Sequence, residues 1–182
     1  MANPTHLAPR FARTAGACFL AALCALPLAA RADDYSDVNR LAQAKQYTEA
    51  LARADQYLAA KPRDPQMRFL RGVVLADMGK RAEAIEAYTQ LIQEYPELPE
   101  PYNNLAVLYA QGNEYDKARE ALEGAVRANP NYAIAYENLG DVYAKLASQS
   151  YAKAQQIDPA NTTAPAKLTL VRQLLSSAQA KR

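Results

Sequence analysis

The sequence has no tryptophan, one histidine, two cysteines and only six glycines in 182 residues. His6, Cys18 and Cys24 all fall within the first 24 positions, so everything after residue 32 lacks both a thiol and an imidazole. That stretch has neither the usual proton shuttle, nor a thiolate nucleophile, nor the main zinc ligands. It also has no Gly-rich phosphate loop and no Ser/His/Asp order, so no catalytic, cofactor or metal site is expected. Scarce glycine with abundant Ala and Leu favours helix, because Gly costs about 1 kcal/mol in a helix interior. The formal charge of +2 comes from bases dispersed among acids, which gives no face for nucleic acid.

Acids are missing from residues 1–32 altogether, while Arg10 and Arg13 are there. An apolar run from Ala17 to Ala30 follows, with Pro27 near its end. A basic start, a short apolar run and small residues after a Pro predict a cleavable signal peptide over residues 1–32. The best cut lies after Ala32 in Ala30-Arg31-Ala32, with a cut after Ala30 next. The run is shorter than the ~20 residues that span a bilayer. Neither Cys18 nor Cys24 stands in a good lipobox. Export to the periplasm or medium is therefore expected. Removal takes three arginines and no acid, leaving 18 bases against 19 acids over residues 33–182. A cysteine-free chain suits an oxidising compartment.

What the remainder has in quantity is a repeat. Ala50, Ala84 and Ala118 recur at one constant spacing, and Pro62, Pro96 and Pro130 recur at the same spacing, as do Leu41, Leu75 and Tyr109. Each interval holds two apolar stripes at three- and four-residue steps, the mark of paired amphipathic helices. The first unit, about 33–64, opens on Asp33-Asp34-Tyr35-Ser36 as a helix start, then Tyr47 to Ala60. The second, 65–98, has Phe69, Gly72, Val73 and Leu75 on its first helix and Arg81 to Glu94 as its second. Gly72 falls where two helices approach closely. The third, 99–132, places Tyr102, Leu105, Ala106 and Tyr109 inward, turns at Gly112-Asn113, and closes at Asn129-Pro130. The expected fold is all-α.

The fourth unit, 133–161, departs from the pattern. Pro159 arrives five positions too early to continue the series of Pro62, Pro96 and Pro130. Tyr151, Ala154 and Asp158-Pro159 still match the end of a second helix, so the loss falls at the hairpin turn. Ala147-Ser148-Gln149-Ser150 has no Gly or Pro, which predicts one long helix from about Ala133 to Ile157. A hairpin with a cramped turn at 148–150 is the alternative. Beyond Asn161 a last helix from Pro165, within residues 162–182, caps the open end. Glu94, Glu97 and Glu100 read as solvated loop charges, and Asp116–Lys117 and Glu114–Arg119 as surface helix charges.

The aromatic–Leu–Gly/Ala–Tyr run of a first helix, followed by Ala, Tyr/Leu and Ala on a second and then Pro, resembles the tetratricopeptide repeat. The resemblance covers roughly residues 33–160 and implies a right-handed α-solenoid of helix hairpins. It further implies a non-catalytic interaction module that holds a protein or extended peptide, here in the cell envelope, as an adaptor or chaperone. In such repeats the groove positions map to Tyr35 and Asn39, then Phe69, Leu70, Val73 and Asp77. The third unit gives Asn103, Asn104, Val107 and Gln111, and the fourth gives Glu137, Asn138, Asp141 and Lys145. The Lys/Asn set that clamps a terminal carboxylate in chaperone-binding relatives is missing. A second reading, from the fused fourth unit, is a self-assembling protein that dimerises through it.

Overall fold

The computed structural model describes residues 27–179, with side chains described over residues 34–176. Eight α-helices and no strand occur among the described residues. They are α1 (Pro27–Gln43), α2 (Tyr47–Ala60), α3 (Pro65–Asp77), α4 (Arg81–Glu94), α5 (Pro99–Gln111), α6 (Tyr115–Ala128), α7 (Ala133–Ile157) and α8 (Thr163–Gln179). Each helix packs on the next, and first helices of neighbouring hairpins also meet, α1 on α3 and α5 on α7. This is a one-dimensional stack in which each hairpin contacts only its neighbours.

The repeat is visible in the backbone. Lys45, Gly79 and Asn113, each one repeat after the last, adopt left-handed φ values of 59°, 75° and 60°. At each of these turns the same bond closes the helix, from Gln46 N–H to Leu41 O, Lys80 N–H to Leu75 O and Glu114 N–H to Tyr109 O, all 2.9 Å. One left-handed residue with a six-to-one backbone bond satisfies the carbonyls that a helix end leaves open. In the third turn Asn113, not Gly112, takes the left-handed place, which Asn tolerates. The next place in the series is Ala147, and it lies inside α7. With the turn residues gone, nothing interrupts the helical ladder, and the predicted long helix forms over all 25 residues.

Two buried clusters fill the stack. One joins Val38, Ala50, Ala54, Tyr57, Met67 and Val74 at the N-terminal end. The larger runs from Leu75 through Tyr88, Leu105 and Leu122 to Val142. Ala50, Ala84 and Ala118 are each completely buried. Tyr88 is buried with its ring over Gly72, where an added Cβ would sit 2.6 Å from a ring carbon. The expected close approach at Gly72 is therefore a seat for an aromatic ring.

Three local expectations change. α1 starts at Pro27, so Asp34 is not a helix cap; it pairs with Arg53 of α2 at 2.7 Å. Residues 1–26 of the expected signal peptide lie outside the described residues, and its cut site falls within α1. Glu114 does not pair with Arg119 but with Arg81 of α4 and with Lys117. Arg81 also donates from Nε to the Leu108 carbonyl in the last turn of α5, at 2.9 Å. A cation at that end suits the helix dipole and ties α4 to the next hairpin. α8 begins at Thr163, two residues before Pro165, because Asn161 Oδ1 accepts from the Thr163 and Ala164 amides.

The Gly72→Ala protein should be less stable by about 1–2 kcal/mol, since overpacking against Tyr88 outweighs the gain in helix propensity. Urea denaturation followed by circular dichroism measures it; an unchanged or higher midpoint would remove the ring-seat account.

Candidate functional site

The candidate groove residues stand on α1, α3, α5 and α7, the first helix of each hairpin, and the structure sorts them into three groups. At the N-terminal end Tyr35 is committed to the fold. Its hydroxyl donates to Asp64 Oδ2 at 2.6 Å, and Tyr57 donates to the same oxygen at 2.9 Å. Asp64 Oδ1 in turn accepts from the Met67 amide at 3.1 Å and caps α3. Burial pushes the Asp64 carboxyl up, but these hydrogen bonds outweigh it and hold the group below its ordinary value. Tyr35 moves the other way, raised first by burial and then by its bond to Asp64. Asn39 is exposed beside this cluster.

In the middle, the amides bond to one another. Asn138 Nδ2 donates to Asn103 Oδ1 at 2.8 Å, Asn103 Nδ2 to Asn104 Oδ1 at 3.4 Å, and Asn104 Nδ2 to the Tyr88 hydroxyl at 3.2 Å. This chain of donors runs from α7 through α5 to α4. Asn103 is 7% exposed and forms part of the wall, not an open contact. A buried amide needs partners on both its oxygen and its nitrogen, and here other side chains supply them. Burial pushes the Tyr88 hydroxyl up to about 12, so it stays protonated at neutral pH. Phe69 lies half-buried with its ring centroid 5.8 Å from that of Tyr88. Leu70 and Val73 are half-buried on the same helix, and Asp77 is exposed.

The C-terminal end is open. A cavity of about 420 Å³ lies between α5, α6, α7 and α8. Ala106, Val107, Ala110, Leu122, Val142 and Leu175 make its apolar lining, and Gln111, Asn113, Tyr115, Asn138, Asp141 and Lys145 supply polar groups. Five of the expected residues thus converge here: Val107, Gln111, Asn138, Asp141 and Lys145. Glu137 is exposed on the same helix. Sequence reasoning missed Leu175, because it gave the last helix the single role of capping the open end. It also missed the amide chain, whose only signal is the one-repeat step from Asn104 to Asn138. Among the described residues no group of three His, Cys, Asp or Glu could hold a metal, and no helix is long and apolar enough to cross a membrane.

Two family profiles described as tetratricopeptide repeat match the chain, one over residues 29–99 and one over residues 75–146. The chain is a tetratricopeptide repeat protein. Solved structures of other such proteins share its architecture. The crystal structure of MamA superposes with a TM-score of 0.56 at 23% identity, over 79% of this chain and 88% of that one. YrrB, described as having an unusual peptide-binding site, gives 0.53 at 25% identity over 57% of this chain and 54% of its own. The first repeat domain of Spaghetti (RPAP3), solved with an HSP90 peptide, gives 0.58 at 17% identity over 64% and 92%. Tetratricopeptide repeat hairpins are in general interaction modules, and this one offers its cavity where the repeat pattern breaks.

The Asp64 cluster makes a test of the N-terminal end. A group whose folded pKa is depressed contributes stability above its unfolded value, near 3.9, and loses it as pH falls through the folded value. Asp64→Ala should cost about 2–3 kcal/mol at pH 7, from the cap and the charged acceptor together. The gap to the native protein should close below about pH 4. A gap independent of pH between 7 and 3 in denaturant titrations would contradict the assignment.

Proposed function

We propose that this protein is an exported, non-catalytic adaptor that holds an extended segment of a partner protein against α5 and α7. The observation that carries the reading is the cavity: an apolar lining with convergent polar groups, the usual make-up of a recognition pocket. Its volume falls in the range of small-ligand pockets and leaves room for more than one side chain of the bound segment. Asp141 and Lys145, one turn apart on α7, present both signs of charge beside it, and Gln111 offers a donor and an acceptor for a peptide backbone. The peptide-binding site named for YrrB and the peptide bound to the Spaghetti domain support this kind of use. A terminal-carboxylate clamp is not part of it, for want of the Lys/Asn set.

Two measurements test the proposal. N-terminal sequencing of the protein recovered from an exporting cell should read Asp33-Asp34-Tyr35; an intact Met1 in the cell interior removes export. Photo-crosslinking residues at Val107 and Lys145 should capture one partner segment, identified by mass spectrometry, while Glu120, exposed on α6, captures none. A synthetic copy of that segment should bind the protein and lose at least tenfold in affinity with Val107→Arg. Equal capture from Glu120, or unchanged affinity, overturns the reading.

A further inference from the structure

The fusion of the fourth hairpin separates two surfaces that the other hairpins join. In the second and third units the second-helix positions Ala84, Tyr88 and Leu91, and Ala118, Leu122 and Ala125, are all at most 1% exposed. Their counterparts before Pro159 are Ala147, Tyr151 and Ala154, and none of the three is buried. Tyr151 keeps one of its two expected neighbours. Lys167 of α8 lies 5.7 Å from its ring centroid, sixteen residues downstream, just as Asn104 reaches Tyr88 across sixteen residues. What is missing is the first helix of its own unit, whose residues have run straight on instead of folding back.

That first half of α7 lacks the complementary part. Gly140 stands at the repeat place of Gly72, two repeats on. At Gly72 an added Cβ would strike Tyr88, whereas at Gly140 it would meet nothing within 4 Å. The ring seat is empty. On either side of it Tyr136 and Tyr143 are 50% and 48% exposed.

These features lie on one line. Tyr136, Gly140, Tyr143, Ala147, Ser150, Ala154 and Ile157 follow at steps of four and three, which keeps them on a single stripe of a straight helix. With about 100° per residue, the stripe faces away from Asn138, Asp141 and Lys145, so it is separate from the cavity. The stripe is also self-complementary when reversed. Large residues at one end meet small ones near the other. Antiparallel pairing brings Tyr151 of one copy level with the empty seat at Gly140 of the other, whereas parallel pairing sets each residue beside its own counterpart and leaves the seat unfilled.

We propose that two copies of this chain pair antiparallel along α7, each supplying the second-helix half that the other's fourth hairpin lacks, with Tyr151 of one seated over Gly140 of the other. The arrangement is isologous, the same stripe on both copies about a two-fold axis near Leu146, so it closes at a dimer. It uses the opposite side of α7 from the peptide cavity and stands whether or not that reading holds.

Light scattering on the full chain across a concentration series tests it. The expected mass rises to twice that of one chain. Gly140→Leu fills the seat, favours helix and meets no neighbour in the single chain, so it should keep the helical content and give only the one-chain mass. Inserting five residues with a Gly-Asn turn after Lys145 restores the repeat spacing and should also give the one-chain mass, by closing the hairpin on itself. Val107→Arg should leave the doubled mass unchanged. A one-chain mass for the native protein at every concentration overturns the proposal, and so does a dimer that survives Gly140→Leu.

Discussion

The whole stack depends on one position in each hairpin where only an alanine methyl stands between two helices. Ala50, Ala84 and Ala118 are completely buried, and a larger side chain at any of them would force the helix pair apart. That close approach brings Tyr88 over Gly72 and lets α5 come near enough for Asn104 to bond the Tyr88 hydroxyl. The interior between hairpins is dense enough that one methyl group matters. From the alanines follow the ring seats, from the ring seats the amide chain, and from these the walls of the groove.

Where the constraint lapses, function can enter. Ala147 is the fourth member of the series in pattern, yet it lies on a helix that never turns and is only half-buried. Loss of the turn folds α8 back along α7 and brings Leu175 to the rim of the cavity. The same loss leaves the opposite side of α7 without a partner helix among the described residues. One deletion thus produces both features that distinguish this protein from a plain array of repeats.

Much of this was legible in the residues. Helix limits at Tyr47, Ala60, Arg81 and Glu94 fall where Pro and the apolar stripe put them, and the continuous α7 follows from a link without Gly or Pro. Local signals of this kind act within a turn or two of helix, which is why they can be read in one dimension. The groove was less legible. Mapping repeat positions put Tyr35, Asn103 and Asn104 beside Val107 and Lys145 as equals, because position alone says which way a side chain starts. It does not say whether another side chain already holds its polar atoms. The bond from Tyr35 to Asp64 spans 29 residues and that from Asn138 to Asn103 spans 35. Pairs so distant become visible only once the hairpins are stacked.

The central claim is that residues 133–157 form one unbroken helix in place of a hairpin. The most direct measurement is the distance between spin labels on cysteines placed at Glu137 and Gln156, with Cys18 and Cys24 replaced by serine. Labelled chains are diluted with unlabelled ones so that only distances within a chain are read. Nineteen residues of continuous helix place the labels about 28 Å apart. A distance of about 10 Å, the spacing of packed antiparallel helices, would show a hairpin and contradict the account.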